Sequence, residues 1–282
     1  MRFWYTQAMA HIEPHQKKLK KLQGQVAIVT GGSRGIGKAV AEQLAELGAT
    51  VVVTARSEEQ VQRVAAELQA QGAEAIGIAT DVADPQQVES LLAQIQAQFG
   101  RIDILVNNAG IIWPVDEVVD CDPNAWIYNI QVNLFGPFFL TRGVLPTMIA
   151  QGYGRIVNVS SGAALNPIVG ASAYSTAKAG IDSFTRAVAQ ELNDTGVTIT
   201  SYHPGMVDTD MQVDLRSVDT QGAAFDLGRF HTAYEQKQLR SAETVARGVT
   251  WLAGPWSHEH SGKVFRITDE EWMRQVESDL SV

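Results

Sequence analysis

Cysteine is almost missing from this chain: Cys121 is the only one among 282 residues. A lone thiol forms no internal disulfide and no thiolate metal cluster, so a disulfide-built scaffold is excluded and a cytoplasmic setting is expected. Long apolar runs are missing as well. No stretch approaches the ~18 uninterrupted apolar residues of a membrane span, and the first twenty residues lack the ~7–15-residue apolar core of a signal peptide. Residues 1–21 therefore read as an appended arm, with Met9 a plausible internal start. Positive charge is in short supply, with Lys plus Arg 22 against Asp plus Glu 31 and a net charge of −9. Such a chain repels phosphate backbones, and nucleic acid is not an expected partner; Lys17, Lys18, Lys20 and Lys21 form its only basic patch. The six histidines are not clustered, and the acidic run Asp208–Asp226 lacks the spacing of a calcium loop. No metal is expected.

What is present is a core. Hydrophobic residues make up 45% and charged residues 19% of the chain, the balance of a soluble globular protein. From Gln25 onward, short Val/Ile-rich runs alternate with segments of helical period. The runs are VAIVT (26–30), TVVVT (50–54), AIGIA (75–79), IDILV (102–106), RIVNV (155–159), VTITSYH (197–203) and KVFRI (263–267). Helices are expected over 35–47, 57–71, 85–99, 123–150 and 172–193, with Ser57 as a cap and Asp84-Pro85 as a start. Near-continuous apolar strands are covered on both faces, and strand–helix alternation predicts a single-domain, doubly wound parallel α/β sheet of Rossmann-like type. The domain is expected over 22–268. Within it, 206–240 has no clean period and is expected as a substrate lid. The tail 269–282 is acidic and mildly helical.

Chemistry-bearing residues gather at strand ends. Thr30-Gly31-Gly32-Ser33-Arg34-Gly35-Ile36-Gly37 lies between the first strand and first helix. Glycines there let a pyrophosphate approach the backbone at a helix N-terminus. A purely structural turn is the competing reading. Asp81-Val82 follows the third strand, where a carboxylate can meet an adenine amino group. Asn107-Asn108-Ala109-Gly110 ends the fourth strand, at the edge where open sheets bind ligands. Tyr174 and Lys178 stand one helical turn apart, just after a strand that ends at Ser160-Ser161.

Together with Asn133 and Pro204-Gly205, these motifs in this order closely resemble the short-chain dehydrogenase/reductase family in its compact, single-domain branch. The resemblance runs from about Leu22 to Ile267. It implies an enzyme with Ser161, Tyr174, Lys178 and Asn133 as catalytic residues, Ser161 rather than Ser160 because of its offset from Tyr174. It also implies nicotinamide-cofactor contacts at Gly31, Ser33, Arg34, Gly35, Ile36, Gly37, Arg56, Asp81, Val82, Asn108, Ala109, Gly110, Pro204, Gly205, Val207 and Thr209, besides Tyr174 and Lys178. Hydride transfer to a carbonyl builds negative charge on oxygen, so an acid must reach it. A free phenol at pKa ~10 is poorly matched to neutral pH, and Lys178, together with the positive charge of the oxidised nicotinamide, is expected to lower that of Tyr174.

Cofactor choice is legible after the second strand. Ala55 stands where an NAD-selective protein of this kind has a carboxylate, and Arg56 and Arg34 offer donors to a 2′-phosphate. NADP(H) is expected, with Glu58 or Glu59 partly neutralising Arg56. The expected activity is NADPH-dependent reduction of a ketone or aldehyde, or the reverse oxidation of an alcohol. A 3-oxoacyl-carrier-protein reductase is the alternative. It is disfavoured because Leu145 to Tyr153 offers no positive charge to an acidic carrier. A non-catalytic dinucleotide sensor would have no need to keep Ser161, Tyr174 and Lys178 together. The tail, SGKVFRITDEEW, departs from the family's glycine-rich ending. Trp113, Met206, Phe225, Phe230 and Tyr234 are candidates for a substrate wall or for packing. The resemblance further implies a homotetramer or homodimer.

Overall fold

The computed structural model describes residues 21–281 except 222 and 224. The expected arm, apart from Lys21, lies outside the described residues. Seven strands form one fully parallel sheet: β1 (Val26–Thr30), β2 (Thr50–Ala55), β3 (Ala75–Ala79), β4 (Ile104–Asn107), β5 (Gly154–Val159), β6 (Val197–His203) and β7 (Val264–Arg266). Their order is β3-β2-β1-β4-β5-β6-β7. Chain order reverses between β1 and β4, which opens a crevice at the carboxyl ends of those strands.

The strand sequences explain the layers. Val51 and Val53 point into one core with Ala27 and Val29, while Val52 points into the other with Val26 and Ile28. Side chains alternate across a strand, so an uninterrupted valine run feeds two cores. The first face is covered by α1 (Gly35–Glu46), α2 (Glu58–Ala70) and α9 (Ala242–Ala253). The opposite face is covered by α3 (Pro85–Phe99), α5 (Gly136–Gln151) and α6 (Ser172–Glu191). Helix starts follow their caps. Ser57 accepts from the Gln60 N–H, and Asp84 accepts from Gln86 and Gln87 with Pro85 in the first turn.

Two internal segments differ from expectation. The long helix is α4 (Pro123–Ile130) and α5 joined by a π-helical turn, Gln131–Phe135. The 206–240 excursion contains two short helices, α7 (Asp210–Ser217) and α8 (Gly228–Glu235). Each is too short for a two-turn period to stand out. The tail forms α10 (Glu270–Leu280), capped by Asp269 and anchored by Trp272 and Val276. Its Trp272 packs on Tyr202, Trp251 and Phe265 with ring centroids 4.7–6.0 Å apart. That aromatic cluster stands where the family resemblance has a glycine-rich ending.

Candidate active site

A cleft of about 1040 Å³ runs along the strand ends. One wall is the glycine turn. Gly31 and Gly35 take φ of +62° and +54°, a region that strains other residues. A Cβ on Gly37 would collide with the Gly31 carbonyl and come within 2.5 Å of Asn108 Nδ2. The turn is braced from β4: Thr30 Oγ1 accepts from the Asn108 and Ala109 N–H groups at 3.0 Å, and Asn108 Nδ2 donates to the Thr30 carbonyl at 2.9 Å. The first turn of α1 has no side-chain cap and no acidic residue. Its N–H groups and the positive end of the helix dipole therefore face the cleft, as an anion site requires. These features fit a pyrophosphate.

All the expected cofactor contacts except Gly37 and Lys178 line this cleft. Gly37 keeps the turn tight from behind. Lys178 is buried beneath Tyr174.

On the rim, Ala55 leaves the end of β2 without a carboxylate, and Arg56 Nη1 donates to the Tyr128 hydroxyl at 3.3 Å. The Tyr128 hydroxyl in turn donates to Asp81 Oδ2 at 3.2 Å. Arg34 pairs with Asp210 at 2.6 Å, and both side chains are largely exposed. Two arginines and no fixed acid at β2 suit a 2′-phosphate, although Arg34 must share itself with Asp210. Tyr128 went unnoticed in the sequence, where nothing separates it from other helix-surface aromatics.

At the far end, Tyr174 is 6% and Lys178 5% exposed. Lys178 Nζ donates to the Val159 carbonyl at 2.8 Å and lies 5.5 Å from the Tyr174 ring centroid. Burial pushes the lysine down to about 8, opposed by the nearby Asp182 carboxylate. Taken with its protein neighbours alone, the Tyr174 phenol is raised; the expected lowering rests on the nicotinamide charge as well as on Lys178. Burial pushes it above its ordinary value, and the hydrogen bond with Ser161 offsets only part of this. Desolvation of a phenolate outweighs that hydrogen bond.

The two serines point to different places. Ser160 turns to the Lys178 carbonyl at 3.2 Å, whereas Ser161 stands beside the phenol and its Oγ accepts from the Ala163 N–H at 3.1 Å. Asn133 sits in the π turn, whose wider backbone is a recurrent feature of functional sites. Its Nδ2 donates to the Ile111 carbonyl at 2.9 Å, and its Oδ1 accepts from the Ile111 N–H at 3.3 Å. A Cβ on Gly110 would lie 2.8 Å from Asn133 Oδ1 and 3.8 Å from Lys178 Nζ, so the three converge. Asn129, one turn earlier, clamps the carbonyls of Ile111, Ile112 and Trp113. It escaped the sequence reading, though its place four residues before Asn133 was a usable signal.

The opposite wall comes from the excursion. Leu215, Phe225, Leu227 and Phe230 pack with Ile112, Ile168 and Tyr174. Of the candidate wall residues, Trp113, Met206 and Phe230 line the cleft, whereas Phe225 packs behind it and Tyr234, 53% exposed under Arg216, does not line it. Within this apolar wall Gln212 is 7% exposed, and its Oε1 has no partner among the described residues.

Comparison with known proteins agrees with this architecture. The chain is 37% identical over 234 residues to the 3-oxoacyl-[acyl-carrier-protein] reductase FabG of Pseudomonas aeruginosa, covering 82% of this chain and 91% of that one. It is 43% identical over 197 residues to the 3-oxoacyl-[acyl-carrier-protein] reductase of Synechocystis, covering 70% and 79%. A Beutenbergia cavernae protein assigned as an NAD(P)-dependent gluconate 5-dehydrogenase, crystallised with NADP at low occupancy, superposes with a TM-score of 0.79 at 29% identity. That match covers 91% of this chain and 99% of the other. The short chain dehydrogenase model matches residues 25–220. With the glycine turn, the Ser161–Tyr174–Lys178 grouping and this match in agreement, the chain belongs to the short-chain dehydrogenase family of oxidoreductases.

Proposed function

We propose that the protein is an NADPH-dependent reductase that converts the ketone of a 3-oxoacyl thioester to a secondary alcohol. The observation that carries the chemistry is the buried Tyr174 phenol beside Ser161 at the closed end of a cleft whose other end is built for a dinucleotide. The relatives' names support the acyl substrate over the more general carbonyl reductase, which narrows the broader expectation.

The glycine turn and the α1 N-terminus would hold the pyrophosphate, Asp81 and Val82 the adenine, and Arg56 and Arg34 the 2′-phosphate. Val207, Thr209 and the Pro204-Gly205 turn would line the nicotinamide end. Bound there, the reduced nicotinamide supplies the hydride. Tyr174 donates its proton to the carbonyl oxygen as charge builds, and its raised affinity for the proton keeps it in the donor form. Ser161 donates a hydrogen bond to the same oxygen. Lys178, charged below about 8, stabilises the phenolate left behind and holds the ribose hydroxyls. Asn133 fixes the Ile111 backbone beside it. Residues 206–240 act as the substrate lid of the 22–268 domain.

A second reading, an unconjugated ketone, is favoured by the lack of positive charge between Leu145 and Tyr153. Self-association through the α4–α5 face, where Ile127, Phe135 and Phe138 are exposed, belongs to the same proposal and is checked by light scattering.

NADPH oxidation measured with a 3-oxoacyl carrier protein, a short 3-oxoacyl thioester and a panel of plain ketones separates the readings. Turnover is expected on both thioesters, and Tyr174→Phe should remove ~10²–10⁴-fold of it. Activity on plain ketones alone would select the second reading. NADPH binding without turnover on any carbonyl would make the protein a sensor.

A further inference from the structure

Below Lys178 lies a second buried polar cluster that the proton and hydride steps do not touch. Asp182 follows Lys178 by one turn of α6 and shares its face. Its Oδ1 accepts from Ser201 Oγ at 2.6 Å, and its Oδ2 lies 2.8 Å from His203 Nε2. Ser201 and His203 are two apart on β6, so both project to the α6 side of the sheet. Lys178, Asp182, His203, Ser160 and Ser201 are each 5% exposed or less. Burial alone would push the Asp182 carboxyl up, yet the hydrogen bonds from His203 and Ser201 hold it below its ordinary value. A carboxylate buried this deeply is costly unless it is fully hydrogen-bonded and meets a positive charge.

The surroundings of Lys178 contain little else of that kind. From α6 the Tyr174 ring and, one turn on, Asp182 share its face, from the end of β5 comes the Val159 carbonyl, and from the π turn Asn133 approaches it across Gly110. From β6, His203 reaches it only through Asp182. Among the described residues, Asp182 is the one charged group that acts on the lysine. The carboxylate is itself tied to β6, whose last residue precedes the Pro204-Gly205 turn of the cleft.

We propose that Asp182, clamped by Ser201 and His203, is a positioning residue that, one turn along α6, keeps the Lys178 ammonium charged beneath Tyr174. The inference rests on the role given to Lys178 above. Without the carboxylate, burial would strip the ammonium of its proton nearer neutral pH. With it, one buried negative charge offsets the desolvation of the positive one, and α6 and β6 together set the working state of the site.

The test is the pH dependence of kcat for wild type, Asp182→Asn and Asp182→Glu. Asn matches Asp in shape and still accepts from Ser201, while Glu retains the charge. The wild-type profile should fall above about 8. In Asp182→Asn that limb should move down by about one pH unit, with kcat at pH 6 little changed. Asp182→Glu should restore the limb. If Asp182→Asn folds poorly, Asp182→Ser, which leaves room for water, should give the same downward shift. A profile that drops equally at every pH, or a lower melting temperature with the limb unmoved, would reduce Asp182 to a structural tie and overturn the proposal. Lys178→Met separates the two ideas. If it is active, the lysine's own role fails; if it is inactive while the Asp182→Asn limb stays in place, only the Asp182 proposal fails.

Discussion

The wall formed by β1, β4 and the glycine turn is held by hydrogen bonds between polar side chains and the main chain, whereas the wall formed by residues 206–240 relies on apolar packing. In the first, Thr30, Asn108 and Ala109 exchange short hydrogen bonds, and no Cβ fits at Gly31 or Gly37. In the second, two eight-residue helices rest on Leu215, Phe225, Leu227 and Phe230. That segment is pinched at its base, where Asp208 donates to the Arg240 carbonyl and Arg240 to that of Met206. Elsewhere it reaches the opposite wall through the exposed Arg34–Asp210 pair. An exposed ion pair contributes ~0–1 kcal/mol, too little to fix a wall. A wall of backbone groups admits one ligand geometry, while a wall of apolar side chains can be re-cut for another substrate without disturbing the chemistry.

The largest effect is expected where the first wall is broken. Gly37→Ala should abolish measurable NADPH binding by fluorescence titration and cost about 1–3 kcal/mol of stability, because the new methyl meets the Gly31 carbonyl. Normal binding by this variant would mean that the turn is not the rigid element. Next comes the exchange of cofactor charge at the rim. Ala55→Asp with Arg56→Ala should turn the kcat/KM preference from NADPH toward NADH by tens- to about a thousand-fold, since one or two charge-assisted contacts at ~1.5–3 kcal/mol are replaced by a repulsion. An unchanged ratio would leave Arg34 as the sole selector. The smallest effect on the fold is expected in the second wall. Phe230→Leu should raise substrate KM several-fold with only a small change in melting temperature, whereas Leu105→Ala, in β4, should cost ~2–5 kcal/mol of stability. Equal losses from both would erase the distinction between the walls.

Much of the first wall was legible before any coordinates. The valine runs, the glycine spacing and the caps at Ser57 and Asp84 all act over a few residues, and local rules of period and turn chemistry suffice for them. The Ser161–Tyr174–Lys178 grouping was legible for a related reason: Tyr174 and Lys178 lie one helical turn apart, and Ser161 follows the preceding strand. The second wall was not. The helices α7 and α8 take their faces from contacts with Ile112 and Ile168, about a hundred and about sixty residues away along the chain. Tyr128 shows the same limit. Its hydroxyl matters because α4 brings it between Arg56 and Asp81, residues on two other connections.

By itself, the sequence determined which residues carry charge, which runs must be buried and where the chain has to turn, because covalent identity and short-range sterics settle these. Only the tertiary structure decided the electrostatic state of the site. Tyr174 becomes a stronger holder of its proton rather than a weaker one, and Lys178 weakens toward about 8. Both follow from desolvation, a property of everything packed around a group and of no single neighbour along the chain.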